Sequence, residues 1–167
     1  MPDLALAGER LIASVENARA PFAVDYTCIT TNTPASPVSA ETVWVTTPTI
    51  TFRAGRAYRL TIKGLITVSA TGSEGRIRVR RATVTGTTLF DSFRISTPNA
   101  ANYGFEFSNV FLNSGASDIA VALVGTIARD SGAANYHVSA TPAASPAYLL
   151  TEDFGPVADF PAATSLT

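Results

Sequence analysis

The sequence predicts an all-β protein, built as a single antiparallel β-sandwich of the jelly-roll-like kind with a short N-terminal helical or extended arm. Three observations lead to this prediction. Apolar and polar residues alternate over many short segments, clusters of Gly, Pro, Asn and Ser separate these segments, and no helical pattern lies between them. Such a rhythm is typical of sandwiches rather than of βαβ folds. The chain has 167 residues, which suits one domain.

The arm is predicted in residues 1–21, the one helix-like part of the chain. Pro21 closes this part, and its four apolar residues near helical spacing are Leu6, Leu11, Ile12 and Val15. A helix of two or three turns is marginal alone and needs a surface to lie against. Two interpretations stay open: the segment caps its own domain, or it is an arm that anchors the protein on a neighbour.

The β domain is predicted over residues 22–153. Its first segment, FAVDYTCIT, places Phe22, Val24, Tyr26 and Cys28 on one face. NTPASP, residues 32–37, follows as a turn or loop. The remaining strand-like segments are 41–52, 57–70, 76–84, 87–96, 102–112, 118–128, 135–141 and 147–153.

Three further features of this domain carry expectations. Pro48 indicates a break within 41–52, and Gly64 indicates a bulge within 57–70. The segment 118–128 is apolar on both faces, so we expect burial on both sides, one of which could be a subunit interface. Residues 154–167 contain two prolines and no periodicity, and they are predicted to form an irregular C-terminal tail, free or lying in a groove.

The chain offers little for catalysis. It has one cysteine, Cys28, and one histidine, His137, so no intramolecular disulfide and no His/Cys zinc site within one subunit is predicted. We interpret Cys28 as a small buried apolar residue. Glu152 and Asp153 are adjacent on a strand and should point to opposite faces. No nucleophile, phosphate-loop or dinucleotide motif occurs, and we predict no enzyme activity, no metal and no cofactor.

The N-terminus carries acidic residues, Asp3 and Glu9, where a secretory signal would have basic residues followed by an apolar run. No stretch approaches the roughly 20 apolar residues of a membrane span. We therefore expect synthesis in the cytoplasm and no membrane partner.

The stretch GRIRVRR, residues 75–81, concentrates positive charge in a chain of net charge −1. Arg76, Arg78 and Arg80 alternate with apolar residues, which predicts one strand with an arginine face, and Arg81 should end or distort it. Arginine suits ordered pairing with carboxylates. These carboxylates could come from the same chain, a symmetry mate or another protein, and we predict a protein–protein contact. Nucleic acid is a poor fit, because the whole chain is slightly acidic and no aromatic residue interrupts the run.

Three stretches resemble small virion structural proteins of actinobacterial tailed phages: LAGERLIASVENAR (6–19), ITFRAGRAYRLTIKG (50–64) and SPAYLLTEDFGP (145–156). The resemblance implies a jelly-roll-like virion protein, often a homotrimer. Such a protein serves as a capsid decoration, a head fibre or a minor tail component, and its partners are copies of itself and the major capsid protein or another virion protein. It would be made in the host cytoplasm and reside in the virion.

Two other functions are compatible with a jelly-roll-like fold. Jelly rolls also act as receptor- or carbohydrate-binding modules, but Trp44 and the tyrosines lie mostly within strand patterns rather than on loops. A cupin-like oxygenase needs several histidine ligands, and the chain has one.

Overall fold

A computed structural model describes residues 21–140 and 145–166. The predicted anchoring residues Leu6, Leu11, Ile12 and Val15 lie outside the described residues. The described strands are β1 Phe22–Ile29, β2 Thr33–Val38, β3 Thr42–Thr46, β4 Ile50–Phe52, β5 Arg56–Val68, β6 Ser73–Arg81, β7 Thr88–Thr97, β8 Asn102–Asn113, β9 Ile119–Val121, β10 Leu123–Ser131, β11 Tyr136–Ser139, β12 Ala147–Pro156 and β13 Thr164–Ser165.

These strands form two main antiparallel sheets. The larger sheet is centred on β5, which pairs with β12 and β11 along one edge and with β8 along the other. β1 extends this sheet beyond β12, and β2 extends it beyond β11. The smaller sheet has the order β3-β10-β6-β7, and β4 pairs with β9 separately. The all-β antiparallel prediction is confirmed.

The core lies between the two sheets. Trp44 of β3 meets Phe105 of β8 edge to face at 5.9 Å, and Phe90 of β7 meets Phe111 at 5.2 Å. Phe111 and Leu60 are fully buried in the same cluster. Each large apolar side chain buried in this way stabilises the fold by about 1.5–3 kcal/mol. The inward residues of both sheets therefore fix the sandwich.

Two local predictions need correction. Residues 32–37 were expected to form a turn or loop, but β2 occupies most of them, and its prolines are tolerated because it lies at a sheet edge. Gly64 was expected to mark a bulge, yet β5 pairs with β8 across it without a register shift. A Cβ at Gly64 would stand 2.7 Å from the Phe105 ring, so this glycine makes room for an aromatic side chain.

The C-terminal residues also differ from the expected irregular tail. β12 runs on past residue 153 to Pro156, and a 3₁₀ turn follows at Val157–Asp159. β13 then pairs in parallel with β8, and Leu166 is buried in the core cluster. Short-range periodicity misses this segment because its partners lie about fifty residues earlier in the chain.

Candidate interaction surfaces

The arginine face of β6 is the first candidate surface. Arg76, Arg78 and Arg80 alternate with buried Ile77 and Val79, as the sequence predicts, and all three point away from the core. β6 ends at Arg81, and the next residue, Ala82, has a φ of 62°. The Arg81 Nη1 turns instead to the C-terminal segment and donates to the Leu166 carbonyl at 2.9 Å.

Glu41 binds two arginines of this face, Arg78 and Arg80. Its Oε1 accepts hydrogen bonds from Arg80 Nε at 2.7 Å and from the Thr126 hydroxyl at 2.6 Å. Its Oε2 accepts from Arg78 Nη1 at 2.7 Å and from Arg80 Nη2 at 2.9 Å. Arg80 Nη1 also donates to Thr88 Oγ1 at 2.6 Å. One carboxylate from the loop before β3 thus binds two guanidinium groups of β6.

Asp130 binds Arg76, the first arginine of this face. It pairs with Arg76 of β6 through Nη2 and with Arg94 of β7 through Nε at 3.0 Å. The carboxylates that the sequence placed across a protein–protein contact are therefore supplied by the same chain. That this face also contacts another protein stays a prediction.

The same pairing explains the double burial of residues 118–128. That expectation is correct for Leu123–Ala128 of β10, and wrong for Ile119–Val121, which forms the separate strand β9 and is only partly buried. Arg80, Arg78 and Arg76 lie directly opposite Val124, Thr126 and Ala128. Long arginine stems cover apolar neighbours while their charged ends reach polar partners. A subunit interface is not needed to bury this side of β10.

The pKa of Glu41 leads to a pH prediction. Burial by itself raises this pKa, but the hydrogen bonds from Arg80 and Thr126 and the charges of Arg78 and Arg80 outweigh it, so the pKa lies below its usual 4.5. A group whose pKa is lower in the folded chain adds stability that is present above the unfolded pKa and is lost as the pH falls through the folded pKa. Between about pH 5 and pH 3 the wild type should lose more unfolding free energy than Glu41→Gln does. Urea titrations across this range measure the difference, and equal losses would contradict it.

The second candidate surface is β1, the edge strand of the larger sheet. Three of its side chains are large, apolar and exposed: Phe22 (47% exposed), Val24 (38%) and Tyr26 (54%). Cys28 is exposed too, so its interpretation as a buried residue is wrong. The strand register shifts between Ala23 and Asp25, which places a bulge at Val24.

Aromatic and apolar groups of β12 continue this surface. The Tyr26 ring lies 5.0 Å from the Tyr148 ring, and Leu150, opposite Tyr26, is only partly buried. We call the exposed side chains of β1 together with Tyr148 and Leu150 the β1 surface. Alternation in the sequence grouped the β1 residues but did not show that they face outward, because a period of two is the same for either face.

A cleft of about 540 Å³ opens at the start of β1. Its lining includes Phe22, Val24, Arg53 and Asp118. Asp118 Oδ1 accepts a hydrogen bond from the Ala54 N–H at 2.9 Å. Asp153 also lines the cleft and is bound by Arg56 Nε, which lies 3.0 Å from each carboxylate oxygen. The cleft thus joins apolar and charged groups.

The described residues contain neither a cluster of metal-ligand side chains nor a membrane-spanning helix. In residues 21–140 and 145–166, no three His, Cys, Asp or Glu side chains are grouped closely enough to hold a metal ion. The pKa of His137 is lowered by burial, and its Nδ1 has no hydrogen-bond partner among the described groups. The same part of the chain contains no helix with the length and apolarity that crossing a bilayer requires.

Sequence reasoning missed Glu41 and Asp130 as partners of the arginines. One signal pointed to Glu41: it is the only acidic residue between Asp25 and Glu74, in a chain that is poor in charge. An isolated acid before a strand rich in β-branched residues is a reasonable partner for an arginine-rich strand. Which arginine it meets depends on the strand register, which the sequence does not state.

Comparison with known proteins gives a limited result. No protein-family model and no curated protein matches the chain. Among solved structures, the infectious bursal disease virus VP2 subviral particle aligns with a TM-score of 0.45 at 10% identity, covering 83% of this chain and 38% of that chain. The structure of the virus Gt strain aligns with a TM-score of 0.43 at 11% identity, covering 85% and 34%. The chain thus covers little more than a third of the length of the matched chains. Because the TM-scores lie below 0.5, its function is argued from its own residues.

Proposed function

We propose that this chain is a structural protein of a phage virion, which decorates the capsid as a homo-oligomer, a trimer, and is anchored by its N-terminal segment, residues 1–21. The observation that carries the proposal is the position, within the fold, of the two phage-like stretches that the structure describes. The stretch 50–64 includes most of β5, and the stretch 145–156 includes all of β12. These strands are direct neighbours, and β1, which follows the stretch 6–19, pairs with β12.

Side-chain contacts join these stretches as well. Arg56 and Arg59 of β5 bind Asp153 and Glu152 of β12, the latter pair at 2.7 Å from Nε to Oε2. The two stretches that the structure describes thus belong to one pair of strands, β5 and β12, and β1, which follows the stretch 6–19 in the sequence, pairs with β12. This supports a role in which the segment and β1 act together.

The exposed β1 surface supports assembly. Apolar residues grouped on the surface of a well-packed domain commonly mark protein–protein contacts. The chain is also poor in charge, with 15% charged residues. Virion proteins that assemble in many copies need surfaces of this kind.

A role as a minor tail protein or a receptor- or carbohydrate-binding module is the second candidate. The cleft favours it, because an exposed aromatic ring beside arginine and carboxylate groups suits the apolar face and the hydroxyls of a sugar. Binding on a glycan array that Arg53→Ala abolishes would favour this module over the decoration role.

The anchor is tested by deletion. A chain lacking residues 1–20 should keep the β-sheet circular dichroism of the full chain and be absent from purified virions, as judged by mass spectrometry. Leu11→Ser with Ile12→Ser should reduce incorporation at least partly, whereas Ala13→Ser, within the same segment, serves as the matched control. Truncated protein found in virions at the wild-type copy number would refute the anchor.

A further inference from the structure

The edges of the two sheets differ in how well they resist pairing with another chain. Natural edge strands are protected by prolines, charged side chains or shortness. β2 carries Pro34 and Pro37, β7 carries Arg94, β3 has five residues, and β13 has two. β1 has eight residues, no proline and no basic residue, and its one charged residue is Asp25. It combines the lack of proline and of basic residues with large exposed apolar side chains.

Exposed apolar side chains coincide with this edge. Among the side chains whose burial the structure describes, the large apolar ones that are exposed are Phe22, Val24 and Tyr26, all on β1. Asp25 is partly buried and accepts a hydrogen bond from the Thr27 hydroxyl at 2.8 Å, so it does little to repel a second strand. An edge strand with exposed apolar side chains and no protecting proline or cation is suited to contact with another chain.

The area of β1 shows that a stable interface would need more surface than this strand alone. A strand of eight residues is about 27 Å long, and a band about 10 Å wide along it offers roughly 270 Å². A stable interface buries about 800 Å² on each partner. The contact must therefore extend over neighbouring surface, and Tyr148 and Leu150 beside β1 supply apolar surface for it.

We propose that the β1 surface is the contact between copies of this chain. Charge favours a second copy as the partner. The ion pairs next to the surface, Arg59 with Glu152 and Lys63 with Glu106, are satisfied within one chain, and Asp25 is partly buried, so little exposed charge is left to attract a basic or acidic protein. A second copy presents the same apolar side chains, and three such surfaces can pack together around the threefold axis of a trimer. The arginine face offers less, because Glu41 and Asp130 already bind it.

This inference takes the existence of an oligomer from the proposed function, and it adds the position of the contact between copies, which is the β1 surface. The test is the mass of the full chain by light scattering and sedimentation over about 1–100 µM. Wild type should be oligomeric, and Val24→Lys with Tyr26→Lys should raise the dissociation constant by about 30-fold or more, since buried aromatic anchors dominate interfaces. Ser108→Lys, on the exposed face of β8 in the same sheet, should leave the mass unchanged.

Cys28 supplies a readout that needs no substitution. It is the only cysteine, it is exposed, and it lies on β1, so maleimide labels this strand specifically. Labelling should slow as the chain concentration rises through association, and it should stay fast at all concentrations in the double variant. If that variant fails to fold, the wild-type labelling curve still decides the matter.

Two results would overturn the proposal: a wild type that is monomeric at 100 µM, or an oligomer whose mass and Cys28 labelling do not depend on β1. A monomeric wild type would also contradict the trimer of the proposed function, whereas the presence of the chain in virions is tested separately on purified particles. A chain present in virions whose copies meet through another face would refute this inference and leave the proposed function intact.

Discussion

Replacing Asp153 with Asn should lower the free energy of unfolding by about 3–5 kcal/mol. The Asp153 side chain is 2% exposed, and its carboxylate binds the Arg56 guanidinium through three contacts of 2.5–3.0 Å. Its Oδ1 also accepts from the Gly155 N–H at 3.2 Å. Asparagine keeps the shape but removes the charge that compensates a largely buried cation, and losing one partner of such a pair is far costlier than losing one at the surface.

The matched control is the neighbouring residue. Glu152→Gln removes a carboxylate from the same strand, but its partner, Arg59, is 37% exposed, so the expected cost is about 1 kcal/mol or less. Urea denaturation of both variants gives the comparison. A cost for Asp153→Asn no larger than that for Glu152→Gln would show that the inward ion pair does not hold β5 to β12.

Glu41→Gln should cost about 2–4 kcal/mol of unfolding free energy. The substitution weakens four hydrogen bonds, three of them with charged groups, and leaves Arg78 and Arg80 side by side with less compensating charge. Hydrogen bonds to charged groups contribute more than neutral ones, at about 1.5–3 kcal/mol each before the remaining partners adjust. The arginine face is therefore expected to stabilise the fold of the single chain.

Glu106→Gln is the control for this prediction. Glu106 pairs with Lys63 at 3.1 Å, but both side chains are well exposed and screened by solvent, so its loss should leave stability nearly unchanged. Guanidinium or thermal denaturation measures stability, and light scattering measures mass. If Glu41→Gln leaves stability unchanged but reduces the oligomer mass, the arginine face is an interface, as its sequence suggested.

Much of the fold could be predicted from local pattern. Alternation of apolar and polar residues identified the strands, Pro48 marked the division between β3 and β4, and Arg81 marked the end of β6. The outward alternation of Arg76, Arg78 and Arg80 was also correct. These features follow from chain geometry over a few residues, which is why a single sequence sufficed for them.

The candidate surfaces were predicted less well. Cys28 was expected to be buried and lies on the exposed β1. The arginine face was expected to meet carboxylates across a protein–protein contact, and it binds Glu41 and Asp130 of the same chain. The interaction of Arg81 with the carbonyl of Leu166 spans 85 residues. No local pattern carries information over such separations.

The sequence by itself determined that this chain forms short antiparallel strands, which residues share a face, and that β6 carries a row of arginines. The tertiary structure alone decided which face of each strand is inside, which carboxylates meet the arginines, and that β1 lies at an open edge. The physical reason is the period of a strand. Alternation fixes the two faces relative to each other, whereas burial and pairing depend on register and on the sheet packed opposite.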